Sequence, residues 1–136
     1  LNTKDLLFGC HWRSTEEDNL CVMCPVRTYE DRIHLFFTCN FSIRVWNYLQ
    51  IDWSHQGEIG DCLPHAKNSF GNPFFFEVFL TAAWCIWITR NGKTFRQARP
   101  SFSSWRCLFI HGISLLVHRV KDSIKPKLLG WIQSLP

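Results

Sequence analysis

The sequence predicts a mainly α-helical protein in which a small cysteine-rich subdomain is followed by a helical hairpin. Three cysteines and a histidine fall within residues 21–39, while aromatic and aliphatic residues of the back half recur at helical spacings of three and four. Alternation of β-branched and polar residues is too sparse for a substantial sheet. With 136 residues, 46% of them hydrophobic and 15% aromatic, the chain can build one modest domain or two small subdomains that share a core.

The front of the chain is predicted to hold short helical segments. Residues 1–12 are typical of a short amphipathic helix. Thr28 and Asp31 form a capping-box pattern ahead of IHLFF, which favours a helix from about Tyr29. A further helix, from about Asn40, carries its apolar residues on one face: Phe41, Val45, Trp46 and Leu49.

A stretch rich in helix-breaking residues divides the chain. Residues 52–73 hold three Gly and two Pro with no hydrophobic period, so we predict a linker or irregular loop there. This assignment leaves residues 1–51 as the cysteine-rich subdomain and residues 74–136 as the helical region.

The helical region is predicted to form the hairpin. Its first helix covers residues 74–97 and is ended by Pro100, because proline cannot continue a helix. The second covers roughly residues 102–123, with Ser101 as its N-cap and Pro126 as its latest possible end.

The most apolar stretch, residues 73–88, is predicted to be a buried core helix. It holds sixteen residues including Glu77, whereas a membrane span needs about 20 apolar residues. We therefore expect no membrane partner. Trp84 and Trp87 share a face of this helix and are expected to pack against its neighbours, with base stacking beside Arg90 as the alternative.

Cysteine usage favours a reducing compartment. Seven cysteines form an odd number, and no export signal is visible, unlike a secreted disulfide scaffold. We therefore expect an intracellular protein. Because the chain begins at Leu1 rather than Met, we also expect it to be a piece of a longer protein.

The net charge of +4 is unevenly distributed. Residues 90–127 carry nine basic residues and one acid, a balance of +8, so the remainder sums to −4. Such a segment is either a solvated helical face or a surface that meets phosphate, and charge alone leaves both open. The candidate phosphate contacts are Arg90, Lys93, Arg96, Arg99, Arg119, Lys121, Lys125 and Lys127.

The stretch CVMCPVRTYEDRIHLFFTC has the spacing of a metal site. Cys21 and Cys24 place two sulfurs on one side of a tight turn, and the chain then returns with His34 and Cys39. Zn²⁺ takes four such ligands in a tetrahedron, and this closed set would make a structural, zinc-knuckle-like CCHC site for one Zn²⁺. On an ideal α-helix a residue five positions on lies about 140° further round. We therefore expect the helix to end or distort before Cys39.

Other interpretations of the cysteines remain. The Cys21–Cys24 pair could be incidental and His34 a surface histidine. A redox enzyme using this pair would need a βαβ context, which is absent. The cysteines without a close partner in sequence are predicted to be buried thiols: Cys10, Cys62, Cys85 and Cys107.

Several motifs together resemble a known family. They are the CxxC pair, the acidic run into HLFFxC, and FSxxxW, with LLFGCHW before them and AAWCIWITRNGKTF after. Over roughly residues 1–98 the chain resembles the zinc-binding domain that follows the reverse transcriptase in plant non-LTR (LINE-type) retrotransposon proteins. The resemblance places the four ligands on Cys21, Cys24, His34 and Cys39. Asn40 stands where that family often has Pro.

The resemblance implies an accessory module that contacts RNA or DNA and lies beside the reverse transcriptase domain of a parent polyprotein, in the nucleus. No polymerase, endonuclease or RNase H motif is visible in the sequence, so we expect no enzymatic activity from this chain. Two alternatives stay open. One is a protein-interaction module that docks on the polymerase, and the other is an inactive transposon remnant.

Overall fold

The computed structural model describes residues 19–53, 59–96 and 99–136. Within these ranges the protein is mainly helical, with no strand beyond an isolated bridge between Leu20 and Tyr29. A cysteine–histidine cluster lies in the front, and helices follow it, as the predicted fold class requires. The elements are a π-helical turn His34–Thr38 and helices α1 (Asn40–Leu49), α2 (Ile59–Phe70), α3 (Phe75–Arg96), α4 (Phe102–Leu116) and α5 (Lys125–Ser134). The predicted helix over residues 1–12, with Cys10, lies outside the described residues.

Helix α2 corrects the prediction of an irregular loop over residues 52–73. Glycine and proline made this stretch look non-helical, and Pro64 does lie inside the helix. However, Cys62 and Ala66 are four positions apart and both buried, so tertiary packing outweighs the poor local propensity. The helix ends before Gly71, whose φ of +70° is a left-handed conformation that glycine adopts without strain.

Helices α3 and α4 form the predicted hairpin pair, and their junction follows the sequence signals closely. Ser101 caps α4, because its Oγ accepts a hydrogen bond from the backbone N–H of Ser104 at 3.0 Å. The helices approach closely where a Cβ on Gly112 would lie only 3.2 Å from Thr81 Cγ2. The indole N–H of Trp105 also donates to the carbonyl of Ala82 on α3, at 3.3 Å.

The C-terminal part differs from the prediction. Helix α4 ends at Leu116 rather than near residue 123, and a new helix, α5, covers part of the predicted tail. Pro126 lies in the first turn of α5, where the missing proline N–H costs no helical hydrogen bond. Buried Leu128 and partly buried Trp131 pack α5 onto the core, which explains why this segment is ordered into a helix.

The hydrophobic core is continuous from the cysteine cluster to α5. Trp46 of α1 packs on Phe79 of α3 with ring centroids 5.8 Å apart, so the front subdomain is joined to the helical region. At the other end, the rings of Trp105 and Phe109 stack at 5.2 Å, and Trp131 closes against Phe109 at 6.3 Å. The residues on either side of positions 52–73 therefore belong to one core.

Helix α3 is buried along one side, as predicted for residues 73–88. Phe75, Val78, Ala82 and Ile86 are each at most 1% exposed. Among the described residues, no helix taken alone has both the length and the apolarity to cross a bilayer. Helices α2 and α3 would meet those criteria only as a pair, across a bend of 119°.

Candidate metal centre

The first two candidate ligands, Cys21 and Cys24, lie in a closed loop. The backbone N–H of Cys21 donates to the carbonyl of Thr28 at 2.7 Å, and that of Glu30 donates to Asn19 at 2.8 Å. Arg27, with φ of 52°, turns the chain between these two paired segments. Inside the loop, the backbone N–H of Met23 points at Cys21 Sγ at 3.4 Å. A donor of this kind stabilises the negative charge of a thiolate ligand.

A π-helical turn presents the other two ligands. Asp31 starts it by accepting the backbone N–H of His34 at Oδ1, at 2.6 Å. The N–H of Cys39 then bonds to the carbonyl of His34 at 2.7 Å, which is the i to i+5 bond of a π-helix. Cys39 itself is extended, with ψ of 138°. The expected distortion before Cys39 is therefore present: the wider turn brings residues five apart onto one side.

Two side chains of α1 support the π-helical turn. The hydroxyl of Ser42 donates to the carbonyl of Leu35, and the indole N–H of Trp46 donates to the carbonyl of Phe36 at 2.7 Å. These donors satisfy buried carbonyls beside the ligands. Ser42 and Trp46 are the S and W of the FSxxxW motif. The helical spacing predicted only that Trp46 lies on an apolar face, and it did not show that both side chains donate hydrogen bonds.

The four predicted ligands meet at one point. Cys21 Sγ lies 3.9 Å from Cys39 Sγ, and Cys24 Sγ lies 3.5 Å from His34 Nε2. All four donor atoms lie within 4.8 Å of one another. Donors about 2.0–2.3 Å from a tetrahedral ion are about 3.5–3.8 Å apart. The cluster could therefore hold a metal ion with only small side-chain adjustments.

The surroundings of the cluster suit a metal site. The three cysteines are at most 7% exposed, and His34 is partly buried. His34 Nδ1 lies 3.3 Å from the Thr38 hydroxyl, so the ring is oriented with Nε2 toward the sulfurs. Contact with Cys39, followed by burial, raises the pKa of the Cys21 thiol, and the contact with Cys21 lowers the pKa of Cys39. A divalent cation between the two sulfurs would favour the thiolate form of both.

A buried ion pair joins this loop to α3. Glu30 and Arg90 are 0% and 1% exposed, and Arg90 Nη2 donates to Glu30 Oε1 at 2.6 Å. Arg90 Nε adds contacts to the same carboxylate at 3.1 and 3.3 Å. Arg90 Nη1 also donates to Asn91 Oδ1 at 2.7 Å. Paired and hydrogen-bonded in this way, the charges avoid the large cost of isolated burial.

Arg90 therefore has to be removed from the predicted phosphate contacts. Its guanidinium is buried against Glu30, 60 positions away in sequence, and cannot meet a ligand from solvent. The sequence contained only a weak sign that Arg90 would be buried. Arg90 follows the apolar run AAWCIWIT, where an unpaired charge would be costly, so a buried acidic partner could have been expected.

The remaining candidate cations fall into two groups. Lys93, Arg96 and Arg99 lie at and beyond the end of α3, with Arg96 and Arg99 exposed. The second group follows α4: Arg119, Lys121 and Lys127 are exposed, whereas partly buried Lys125 binds Asp122 at 2.9 Å. A hydrogen bond from Lys125 lowers the pKa of the Asp122 carboxyl.

Two further sequence predictions need correction. Cys62 and Cys85 are buried as predicted, but Cys107 is exposed on α4. Trp84 was expected to pack in the helical region, yet it is 50% exposed. Because α3 is apolar around most of its circumference, helical spacing alone did not tell its buried side from its exposed side.

No family model, curated protein or solved structure matches this chain. The resemblance to the retrotransposon zinc-binding domain therefore depends on the sequence motifs alone and stays a prediction. The geometry of the cluster is independent of that resemblance. Cys21, Cys24, His34 and Cys39 form a candidate metal centre in either case.

Proposed function

We propose that this chain is a zinc-stabilised accessory module that contacts RNA or DNA, as part of a reverse transcriptase-type retrotransposon protein. The observation that carries the proposal is the convergence of three sulfurs and one imidazole within 4.8 Å. Zinc is the metal favoured by this donor set, because thiolates and imidazole suit it and it accepts tetrahedral coordination. Four protein donors leave no open position for water or substrate, so the role of the ion is structural.

The zinc step is tested by elemental analysis of the purified protein. We expect about one zinc per chain, and we expect His34→Ala and Cys39→Ser each to lose most of it, because three ligands bind much more weakly than four. His111→Ala and Cys107→Ser are the matched controls, since both residues are exposed and neither is in the cluster. Zinc content unchanged in His34→Ala would contradict the assignment.

Charge supports the nucleic-acid step. Arg96, Arg99, Arg119, Lys121 and Lys127 are exposed cations in a segment with a balance of +8. Contacts to backbone phosphate release counterions, so binding should weaken steeply with salt and show little sequence preference. Arg90 plays no part in this binding, because Glu30 neutralises it.

A salt titration tests this step. We expect the affinity of the zinc-loaded protein for an oligonucleotide to fall at least tenfold between about 50 and 200 mM salt. Replacing Arg119, Lys121 and Lys127 by Gln should weaken binding and reduce the salt slope. Lys67→Gln is the control, because Lys67 is an exposed lysine on α2, outside the basic segment. Equal affinity at both salt concentrations would exclude phosphate binding.

An exposed apolar face supports a second candidate function, docking on the polymerase of the parent protein. Phe76, Leu80 and Trp84 recur every four residues on α3 and are 42%, 61% and 50% exposed. A face of this kind is typical of a protein interface. A pull-down with a reverse transcriptase segment, comparing the wild type with Leu80→Glu, tests this candidate.

A further inference from the structure

An aromatic pair and a groove lie together near the end of α3. The ring centroids of Trp84 and Trp87 are 5.0 Å apart, and the two ring planes are inclined by 33° to each other. One helical turn further on, Trp87 and Arg96 border a groove of about 280 Å³, whose other lining residues are Ile88, Asn91 and Gly92. Positions 84, 87, 88 and 91 are spaced by three and four, so the pair and the groove form one continuous surface along the helix.

The charge around this surface favours an anionic occupant. Between residues 78 and 96 the helix carries no acidic residue, and Glu30 neutralises Arg90 from the buried side. Exposed Arg96, which lines the groove, therefore gives it a positive rim. An apolar protein partner would be served equally well by exposed Leu80 and Phe76, at the other end of the exposed face of the helix.

The size and polarity of the groove favour a flat ring. Its volume is at the lower limit of small-ligand pockets, which is enough for one ring system rather than a large molecule. Asn91 Oδ1 accepts a hydrogen bond from Arg90 Nη1 at 2.7 Å, which fixes the side-chain amide. The Asn91 amide nitrogen is then the group that can meet an acceptor on a ring edge.

We propose that Trp84, Trp87 and Arg96 form a binding site for single-stranded nucleic acid. A base stacks on the exposed indole of Trp84 or enters the groove beside Trp87, while Arg96 contacts the adjoining phosphate. Stacking on aromatic side chains combined with cations along the backbone is how sequence-tolerant single-strand binders work. This inference rests on the proposed nucleic-acid function. It adds that the nucleic acid is single-stranded, and it names the residues that would recognise the unpaired bases.

The test compares two ligands on the full zinc-loaded chain: a short single-stranded oligonucleotide and an abasic strand of equal length. Both carry the same phosphates, but only the first carries bases. We expect the wild type to prefer the base-containing strand. Trp84→Ala should weaken binding of that strand by about 5- to 150-fold and leave the abasic strand and the salt slope unchanged.

Three further variants make the result specific. Trp84→Phe keeps an aromatic face and should retain most of the affinity, which also guards against a folding artefact. Leu80→Ala removes an equally exposed apolar side chain of α3 and should have no effect. Arg96→Gln should weaken binding of both strands and reduce the salt slope by about 0.7, because one phosphate contact is lost.

The outcomes separate this inference from the function on which it rests. If the wild type binds neither strand, the nucleic-acid function fails. If the wild type binds both strands equally and Trp84→Ala changes nothing, the function stands and the stacking site is wrong. If Trp84→Ala weakens capture of a reverse transcriptase segment but not of the oligonucleotide, the surface is a protein interface and the inference is likewise overturned.

Discussion

At the scale of single residues, two cysteines outside the candidate metal centre, Cys85 and Cys107, differ in burial. Cys85 is 3% exposed on the inner side of α3, and burial raises the pKa of its thiol to about 11. Cys107, by contrast, is exposed on α4. Both were predicted to be buried, because an isolated cysteine in an apolar helix is usually a core residue. Only packing decides which side of a helix faces the core.

This difference predicts selective alkylation. At pH 8 the thiolate fraction of Cys85 is on the order of one in a thousand, because its pKa of about 11 is well above that pH. We expect iodoacetamide to modify Cys107 at least tenfold faster than Cys85 in the native, metal-loaded protein. Site-resolved mass spectrometry measures both rates, with denatured protein as the control in which the rates converge. Equal native rates would mean that α3 opens readily.

Arg90 shows why residue type and position are not enough to assign a role. In the sequence it is the first of nine basic residues in a segment with a balance of +8, and it looked like a phosphate contact. Its partner, Glu30, is 60 residues away. An ion pair over that separation leaves no local pattern, so the one local sign that Arg90 is buried was the apolar run AAWCIWIT ahead of it.

At the scale of elements, local signals predicted helix boundaries best where a side chain caps the backbone. Ser101 begins α4 as predicted. The predicted capping box of Thr28 and Asp31 is wrong, because Tyr29 lies in a bridge with Leu20 and Asp31 instead accepts the N–H of His34. The C-terminal end of α4 was less predictable, whereas α3 ends at Arg96, one residue before its predicted end. Helix α4 stops at Leu116 without a proline or glycine, where the chain must turn for α5 to pack on the core.

The cap on α4 gives a stability prediction. Ser101→Ala removes the acceptor of the Ser104 N–H, which is then left without its partner at the helix start. We expect the free energy of unfolding to fall by about 1 kcal/mol. Urea denaturation measures the change, and Ser103→Ala is the matched control because Ser103 is an exposed serine inside the same first turn. Equal losses in both variants would show that the cap is not the cause.

At the scale of the whole molecule, the buried ion pair of Glu30 and Arg90 links the loop that carries Cys21 and Cys24 to the helical region. Glu30 closes the loop through its backbone bond to Asn19 and pairs through its side chain with Arg90 on α3. Trp46 makes a second link, since it donates to the carbonyl of Phe36 and packs on Phe79. The front and the back are therefore joined through one packed core.

A double-mutant cycle tests this link. Glu30→Leu and Arg90→Met each leave one buried charge unpaired, so we expect each to lose about 3–5 kcal/mol of unfolding free energy. The double variant should lose much less than the sum of the two, because no unpaired charge remains. Both single variants should also release zinc more readily, since Glu30 belongs to the loop that carries Cys21 and Cys24. Additive losses would show that the two side chains do not act as a pair.

The sequence by itself determined the candidate ligand set, the helical class and the cap of α4. These features depend on spacings within a few turns of chain: Cys21 to Cys39 spans nineteen residues, and Ser101 bonds Ser104. Local geometry limits such arrangements strongly, so residue type and spacing are enough to predict them.

Only the tertiary structure decided which residues are buried and which distant groups pair. It made α2 a helix despite Pro64, placed Arg90 against Glu30, and left Trp84 at the surface. The physical reason is that burial and ion pairing depend on what packs against a helix from elsewhere in the chain. That information is not contained in the periodicity of the helix itself.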